Sequence, residues 1–596
     1  MEAPAPLARR GAPRAVAGGG VFLAAVVAAR QWSHAEAEEK AVMSYRYGSR
    51  EALVSIERAP PRWRRLAELA ALLVPVLLLW PLKLLHPRTY WDIVARQLDH
   101  SGPCFVKLAQ WLSCRRDVFS DEFCEALGQL HDTVDAQWSE GVRPEAVQAR
   151  LNGEGLALRQ LDEVSASSGS IAEVFFGELE DGTEVAVKCL RPGIRTLLEG
   201  DLRWLLMASR WADHHLPRSG IGKAAEDFAE QVWMQIDFDI ESSHLSRFRS
   251  NFARSGESIA FPAPLFTAPD LLVLTRERGH NVAHLFRQAD EVRKQAASSA
   301  AAAQPADGSQ ASTGKVERQT VRPEHLRQVL GMSDEACQAV AHAGMGCFMR
   351  MLFMDCFIHG DMHPGNLILR LKDESEGFVR SPLQRAADWL ARLAGRSPWQ
   401  PFELVVLDAG LAIPMARQKV DALRSLALSI MYQDYSRAAD ILYSESPDSS
   451  QCQDPSAFKM EIAEIFRGSR KDVWDQGYLQ IGDAALKALQ AVHKHQVGID
   501  TTLTWVLLSM LSVEGASRQF YSEVDATFAA VQYIVTLPNI LRELSRDLSW
   551  ATAKEMLTQR VMEGFGLDYW ARRNRESAEY AAWSVNSGLT KPAAAA

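Results

Sequence analysis

The chain has 596 residues, of which 47% are hydrophobic, and it carries a formal net charge of −9. This length and apolar content allow a large buried core and exceed one average domain. The acidic balance gives no electrostatic support for nucleic-acid binding, and the sequence contains no RNA- or DNA-binding motif.

The first 35 residues predict an organelle targeting segment. They contain Arg9, Arg10, Arg14 and Arg30 against one acid, Glu2, and they are rich in alanine and glycine. A secretory signal is the alternative, because an apolar run follows the first arginines. The cysteines form no C-x-x-C pair and are expected to be reduced thiols, which favours an organelle. We expect a mitochondrion, at its inner membrane, with a plastid as second choice.

A second apolar run, Leu69–Leu82, predicts a membrane-associated segment within residues 36–92. It is shorter than the roughly 20 residues that a transmembrane helix needs. The basic cluster Arg62, Arg64 and Arg65 precedes the run, and with Trp63 it suits an anionic lipid surface. Spanning and interfacial contact both fit, and a buried helix of the soluble body is the alternative.

A loop of small residues followed by two strands predicts a site for nucleotide phosphates. The turn Glu180–Thr183 joins the strands as a hairpin, and the second strand would present the Lys188 ammonium to the α- and β-phosphates. The loop holds one glycine where a protein kinase has three, but its small residues allow close backbone approach to phosphates. For the second strand alone, a surface lysine is the more frequent explanation. The residues assigned to nucleotide binding are Ala166, Ser167, Ser168, Gly169, Ser170, Val174, Ala186, Lys188 and Glu277.

The next segment supplies a partner for Lys188. Glu241, in a helix predicted over Ala224–Phe248, is the glutamate expected to orient the lysine, although alone it would fit a solvated helix face.

Two insertions interrupt the body. Ala296–Gly314 is rich in alanine, serine and glutamine and cannot build a core, so it predicts a disordered insertion. Residues 372–400 predict a surface insertion.

Two segments in the second half predict phosphoryl transfer. Asp361 lies five residues before Asn366, and Asp408 follows an apolar strand and precedes a small-residue turn. In such sites the first Asp orients or deprotonates the acceptor, while the Asn and the second Asp hold magnesium on the nucleotide. His359 and His363 are expected to make structural hydrogen bonds, with metal binding as the weaker alternative.

The motifs together resemble the UbiB family of atypical kinases, the aarF-domain-containing kinases. Gly102–Gln110 is similar to the family's Lys-x-Gly-Gln motif, Gln235–Asp237 stands at its Glu-x-Asp position, and His359–Asn366 fits its His-x-Asp-x-His-Pro-Gly-Asn form. The resemblance runs from about Tyr90 to about Phe520 and looks closest to the second group of aarF-domain-containing kinases.

This resemblance implies an α+β, two-lobed protein-kinase-like fold. The small N-lobe would be rich in β-strands, the larger C-lobe helical, with a family-specific helical extension before them and a helical region after them. Thr501–Leu511 is apolar enough for a buried helix of that last region, and a second membrane segment is the alternative. The implied boundaries are 93–160 for the extension, 161–285 for the N-lobe, 286–325 for the low-complexity insertion, 326–440 for the C-lobe and 441–596 for the C-terminal region.

Departures from the family pattern affect the lysine motif most. In the family, the lysine matching Lys107 is thought to meet the Glu-x-Asp motif and to occlude the place of a protein substrate. Here Gln235 replaces the glutamate, so we expect Lys107 to pair with Asp237 or with nucleotide phosphates, because a buried, unpaired ammonium is costly. Ala109 replaces the motif's glycine, and Asp408-Ala409-Gly410 lacks the usual phenylalanine.

The resemblance implies an ATP- and Mg²⁺-dependent kinase or ATPase that supports ubiquinone (prenyl-quinone) synthesis or lipid homeostasis. A lipid or prenyl-quinone precursor and lipid-biosynthetic enzymes would be its partners. A nucleotide-binding pseudokinase scaffold and a Ser/Thr protein kinase are alternatives. The complete set of polar groups disfavours the scaffold, and the absent three-glycine loop disfavours the protein kinase. The catalytic candidates are Asp361, Lys188, Glu241, Lys107 and Gln110, and the magnesium ligands are Asn366 and Asp408.

Overall fold

The structure is a computed structural model of the chain. It describes residues 62–534 together with 53, 54, 56 and 57, except for gaps at 114–119, 132–140, 216–220, 254–256, 303–322, 372–401, 432, 447–448, 450–451, 477–480, 498–500, 523, 525–528 and 531–532. The predicted targeting segment and the surface insertion at 372–400 therefore lie outside the described residues.

Helices make up most of the described chain. They are α1 (Trp63–Leu78), α2 (Leu82–Leu85), α3 (Pro87–His100), α4 (Pro103–Ser113), α5 (Asp121–Gly128), α6 (Pro144–Gly153), α7 (Ile194–His215), α8 (Ile221–Met234), α9 (Phe238–Phe252), α10 (Val282–Ala302), α11 (Pro323–Leu330), α12 (Asp334–Phe353), α13 (Arg417–Met431), α14 (Tyr435–Ser444), α15 (Pro455–Gln476), α16 (Ile481–Lys494) and α17 (Thr501–Phe520).

The strands form three sheets. They are β1 (Leu158–Leu161), β2 (Ser167–Ser168), β3 (Ala172–Leu179), β4 (Glu184–Leu190), β5 (Ile259–Ala260), β6 (Pro264–Ala268), β7 (Leu271–Thr275), β8 (His280–Asn281), β9 (Phe357–His359), β10 (Leu367–Leu371), β11 (Phe402–Val406) and β12 (Ala412–Pro414). One sheet has the order β1-β3-β4-β7-β6 with β2 beside β3, a second has β5-β11-β10-β8, and a third pairs β12 with β9.

The first sheet forms the small lobe, and the alternation along its strands decides what faces the cleft. Val187 and Cys189 of β4 pack with Phe175 in a core that also contains helix α6. The opposite face of the same strands presents Val174 and Lys188, which are cross-strand neighbours. The predicted hairpin turn is confirmed, with Gly182 at φ +86°.

The second lobe is helical around two small sheets. Helix α17 packs against α12, and its Val506, Met510 and Val513 are buried in the main core. The interpretation of Thr501–Leu511 as a buried helix is therefore confirmed. The predicted two-lobed, protein-kinase-like α+β fold is confirmed as well.

Two secondary-structure predictions are wrong in part. The helix predicted over Ala224–Phe248 is broken between α8 and α9, because the Asp237 side chain caps α9 by accepting hydrogen bonds from the backbone N–H groups of Asp239 and Ile240. The disorder predicted from Ala296 begins too early, since α10 continues to Ala302 on good helix formers.

The apolar run at Leu69–Leu82 divides between burial and exposure. Leu69 and Val76 of α1 are buried, whereas Leu77 and Leu78 are 68% and 75% exposed. Among the described residues, no helix combines the length and the apolar character that a membrane crossing requires. The expectation that Arg65 faces lipid is wrong, because its guanidinium forms a bidentate ion pair with the buried carboxylate of Asp201 on α7, at 2.7 and 2.9 Å.

Candidate active site

A cleft of about 1640 Å³ lies between the lobes and collects the polar residues that the sequence singled out. Asp361 and Asn366 lie between β9 and β10, and Asp408 lies between β11 and β12, so each follows or precedes a buried strand. Strand β4 brings Lys188 from the other lobe. Of the predicted site residues, only Asp237 does not line the cleft.

Lys188 joins the two lobes by charge. Its Nζ lies 2.9 and 2.8 Å from the carboxylate oxygens of Glu241 and 2.9 Å from Oδ2 of Asp408. Burial alone would lower the pKa of Lys188, but Asp408 and Glu241 raise it above its usual range. Burial also opposes ionisation of Asp408, yet Lys188 and the Gly410 N–H hold the pKa of Asp408 well below its usual range. The ammonium and this carboxylate therefore stay charged near neutral pH.

Helix α9 fixes the turn that carries Asp408. Glu241 is bonded to the backbone of Ala409, and His244, one helical turn later, donates from Nδ1 to the Ala409 carbonyl at 2.9 Å. Burial and the negative charge of Asp408 raise the pKa of Glu241 to about 7, and burial lowers the pKa of His244 to about 4. The sequence analysis missed His244, although its i, i+3 spacing from Glu241 places both on one helix face.

His359 connects the segment that carries Asp361 to the segment that carries Asp408. It is fully buried, its Nδ1 accepts the Asp361 backbone N–H at 3.2 Å, and its Nε2 donates to the Asp408 carbonyl. Burial lowers the pKa of His359, so a neutral ring with the proton on Nε2 satisfies both bonds. His363 likewise accepts the Gly365 backbone N–H at 3.0 Å. The predicted structural role of both histidines is confirmed.

The oxygen atoms at the cleft floor fit a magnesium ion. The Asn366 amide donates from Nδ2 to the Asp361 carbonyl at 3.1 Å, which leaves its Oδ1 to the cleft. The Asp408 side chain is 42% exposed and ionised. Mg²⁺ takes oxygen ligands and is often held by one or two protein groups together with substrate phosphates. Within the described residues, no three His, Cys, Asp or Glu side chains form a metal-binding group, so phosphates and water would have to complete the shell.

Lys107 lies on α4 and lines the cleft, but its neighbour is not the one expected. Asp237 uses its carboxylate to cap α9, and no ion pair between Lys107 and Asp237 exists in the described part of the chain. Burial opposes ionisation of Asp361, while the neighbouring His363 ring and the Lys107 ammonium hold the pKa of Asp361 below its usual value. The predicted pairing of Lys107 with Asp237 is therefore wrong, and its charge acts on Asp361.

Gln110 and Gln235 also line the cleft. The Gln110 side chain donates from Nε2 to the Leu130 carbonyl at 2.8 Å, which ties α4 to the end of the α5 segment. Gln235 stands in the break between α8 and α9, close to Gly410. Glu277 accepts from the Thr275 hydroxyl at 3.0 Å and pairs with Arg370, so this predicted nucleotide-binding carboxylate bridges the lobes.

The small-residue loop forms a closed hairpin over the cleft. Ser167 and Ser168 pair with β3, and the Gly169 N–H donates to the Ala172 carbonyl at 2.9 Å. The backbone N–H of Ala166 is likewise bonded to the Val174 carbonyl at 2.8 Å. Two loop N–H groups are thus already used within the hairpin.

Comparisons with known proteins agree with this arrangement. Residues 152–442 match the model of the ABC1 atypical kinase-like domain. A probable serine/threonine-protein kinase, abkC, of Dictyostelium discoideum is 21% identical over 79% of this chain and 68% of its own length. A probable protein kinase UbiB of Azotobacter vinelandii is 23% identical over 80% of this chain and 78% of its own.

A mitochondrial ABC1 family protein of Saccharomyces cerevisiae is 23% identical over 77% of this chain and 72% of its own length. At 77 to 80% of this chain, these matches are longer than the kinase-like domain alone. The chain therefore contains an ABC1 atypical kinase-like domain, and over more than three quarters of its length it is similar to proteins of the UbiB/ABC1 family.

Proposed function

We propose that this protein uses magnesium-bound ATP as an atypical kinase or ATPase. The observation that carries the proposal is the contact of Lys188 with both Glu241 and Asp408, at 2.8 to 2.9 Å, in the same cleft as Asp361 and Asn366. A lysine fixed in this way is placed for nucleotide phosphates. Asn366 and Asp408 would hold the magnesium ion, and the chemistry that it supplies is neutralisation of phosphate charge.

The residues on the cleft floor support transfer to a hydroxyl group. The neighbouring His363 ring and Lys107 ammonium lower the pKa of Asp361, so its carboxylate is ionised and can accept a proton. The acceptor oxygen bonds to the γ-phosphorus, the bond to the bridging β-phosphate oxygen breaks, and Asp361 takes the acceptor proton. When water occupies the acceptor position, the same steps give hydrolysis.

An apolar acceptor is favoured by the other wall of the cleft. Trp111, Phe228 and Trp505 meet there, with ring centroids 6.0 Å apart for Trp111–Phe228 and 6.3 Å apart for Trp111–Trp505. This wall suits a lipid or prenyl-quinone precursor better than a charged peptide. Together with the family resemblance, it supports a role in ubiquinone synthesis or lipid homeostasis, and the mitochondrial yeast relative supports a mitochondrial site.

Contact with a membrane surface is supported by exposed apolar residues at one end of the α1–α2 region, which we call the apolar tip. It consists of Leu77, Leu78, Trp80, Leu84 and Leu85, each at least half exposed. The Lys83 ammonium lies 4.5 Å from the Trp80 ring, so a cation borders the tip. Exposed leucines beside tryptophan and lysine are typical of interfacial contact with anionic lipid.

The decisive experiment is ATP turnover by the purified protein, measured with and without Mg²⁺ and with and without anionic liposomes. The proposal expects magnesium-dependent turnover that liposomes increase. A protein that binds ATP but shows no turnover under any of these conditions would instead be a scaffold. A protein that binds no nucleotide would refute the proposal.

A further inference from the structure

Arg191 lies directly beneath the small-residue loop and is not used by the chemistry above. Its side chain is 4% exposed, and it directly follows β4, the strand that carries Lys188. Nε donates to the Gly169 carbonyl at 3.0 Å, and Nη2 donates to the Ser168 hydroxyl at 2.6 Å. One guanidinium therefore holds two consecutive residues of the loop.

The third side of this guanidinium is held by Glu173. Nη1 of Arg191 lies 2.8 Å from Oε1 of Glu173, whose side chain is 9% exposed. The other oxygen of Glu173 accepts the Val142 backbone N–H at 3.1 Å. Val142 belongs to the segment that enters α6, in the helical extension before the small lobe. A continuous chain of hydrogen bonds therefore runs from the extension, through Glu173 and Arg191, to the loop.

We propose that Arg191 is a positioning residue that locks the loop of residues 166–170 as a rigid wall of the phosphate site. This inference rests on the proposed nucleotide binding. A glycine-rich loop closes over phosphates by moving, whereas the guanidinium, with its planar fork of donors, fixes this loop before ligand arrives. The loop's single glycine is thereby held by its own carbonyl and N–H rather than left free.

If Arg191 locks the loop, its loss should affect the binding of the phosphate groups and of the adenosine part of ATP differently. If the loop of residues 166–170 covers the phosphates and not the adenosine part of the nucleotide, loosening the loop should weaken the binding only of phosphate-bearing nucleotides. Removing the Arg191 donors deletes charge-assisted hydrogen bonds, and we expect the affinity for a non-hydrolysable ATP analogue to fall about tenfold or more. Adenosine affinity should stay within about twofold.

The test compares Arg191→Met, Arg191→Lys and a matched control, Arg150→Met. Nη1 of Arg150 lies 2.8 and 2.7 Å from the two carboxylate oxygens of Asp270 in the same lobe, so replacing Arg150 removes an arginine–carboxylate pair away from the loop. Arg191→Lys keeps a positive charge beside Glu173 and therefore protects folding, but it cannot reproduce the fork. Binding of the ATP analogue and of adenosine is measured by calorimetry for all proteins.

A second readout needs no nucleotide. In the free protein, the hydrogen-bonded amides of Ala166 and Gly169 should exchange with solvent about tenfold faster or more in both Arg191 variants and at the wild-type rate in Arg150→Met. Unchanged exchange would overturn the lock, and so would equal losses of ATP-analogue and adenosine affinity. If the wild-type protein binds neither ligand, the proposed function fails, and the exchange rates still decide whether Arg191 fixes the loop.

Discussion

Replacing Asp408 by asparagine should separate stability from catalysis. The change keeps the side-chain volume but removes the negative charge 2.9 Å from Lys188. A hydrogen bond to a charged group contributes about 1.5–3 kcal/mol, and the 42% exposure of Asp408 places this one at the lower end. Lys188 keeps both oxygens of Glu241, and the repulsion between Asp408 and Glu241 disappears. We therefore expect the free energy of unfolding to change by about 1 kcal/mol or less.

Turnover should respond far more strongly. Asp408 is one of two protein ligands proposed for magnesium, and loss of one preorganised electrostatic group lowers kcat by about 10²–10³-fold. The assay measures ATP turnover across a magnesium titration and thermal unfolding of the same preparation. Asp270→Asn, which removes an exposed ion-paired carboxylate of the small lobe, serves as the control. A loss in Asp408→Asn of less than about tenfold, or an equal loss in the control, would refute the assigned role.

Three further outcomes are expected. In double-mutant cycles on nucleotide affinity, Lys107→Ala should couple to Asp361→Asn by more than about 0.5 kcal/mol and be additive with Asp237→Ala. The folded-state pKa of Glu241, about 7, lies above its usual value. The contribution of Glu241 to stability is therefore complete below its unfolded-state pKa and is lost as pH rises through 7. In chemical unfolding at a series of pH values, Glu241→Gln should show a smaller loss of stability over this range. Leu77→Ser combined with Leu84→Ser should reduce flotation with anionic liposomes, whereas Met460→Ser, at a site 70% exposed in the C-terminal region, should not.

Opposite results would identify the failed step. Coupling between Lys107 and Asp237 would mean that these two residues interact as expected from the family motif. Additivity between Lys107 and Asp361 would mean that the charge of Lys107 does not act on Asp361. An unchanged dependence of stability on pH in Glu241→Gln would mean that burial does not raise the pKa of this carboxyl group. Equal flotation of the tip variants and wild type would exclude the apolar tip as the membrane contact.

The sequence predicted the floor of the site better than its supports. Asp361, Asn366 and Asp408 each lie beside a short apolar strand. The local sequence pattern was therefore enough to predict that these three side chains lie together on the cleft floor. The partner of Lys107 could not be predicted, because an aspartate at position 237 can either pair with a lysine or cap a helix. Only the backbone geometry shows that Asp237 caps α9. His244 and Arg191 were missed for a related reason, since each acts on backbone atoms far away in sequence.

Helix α17 has a consequence for how small a working fragment can be. Ser509 donates its hydroxyl hydrogen to the carbonyl of Gly360 at 2.8 Å, immediately before Asp361. A protein trimmed to the kinase-like match at residues 152–442 would lose this support and would expose the apolar surface of α12 that α17 covers. Expression boundaries for this protein should therefore extend beyond Phe520, so that the backbone before Asp361, the proposed base, keeps its hydrogen bond from Ser509.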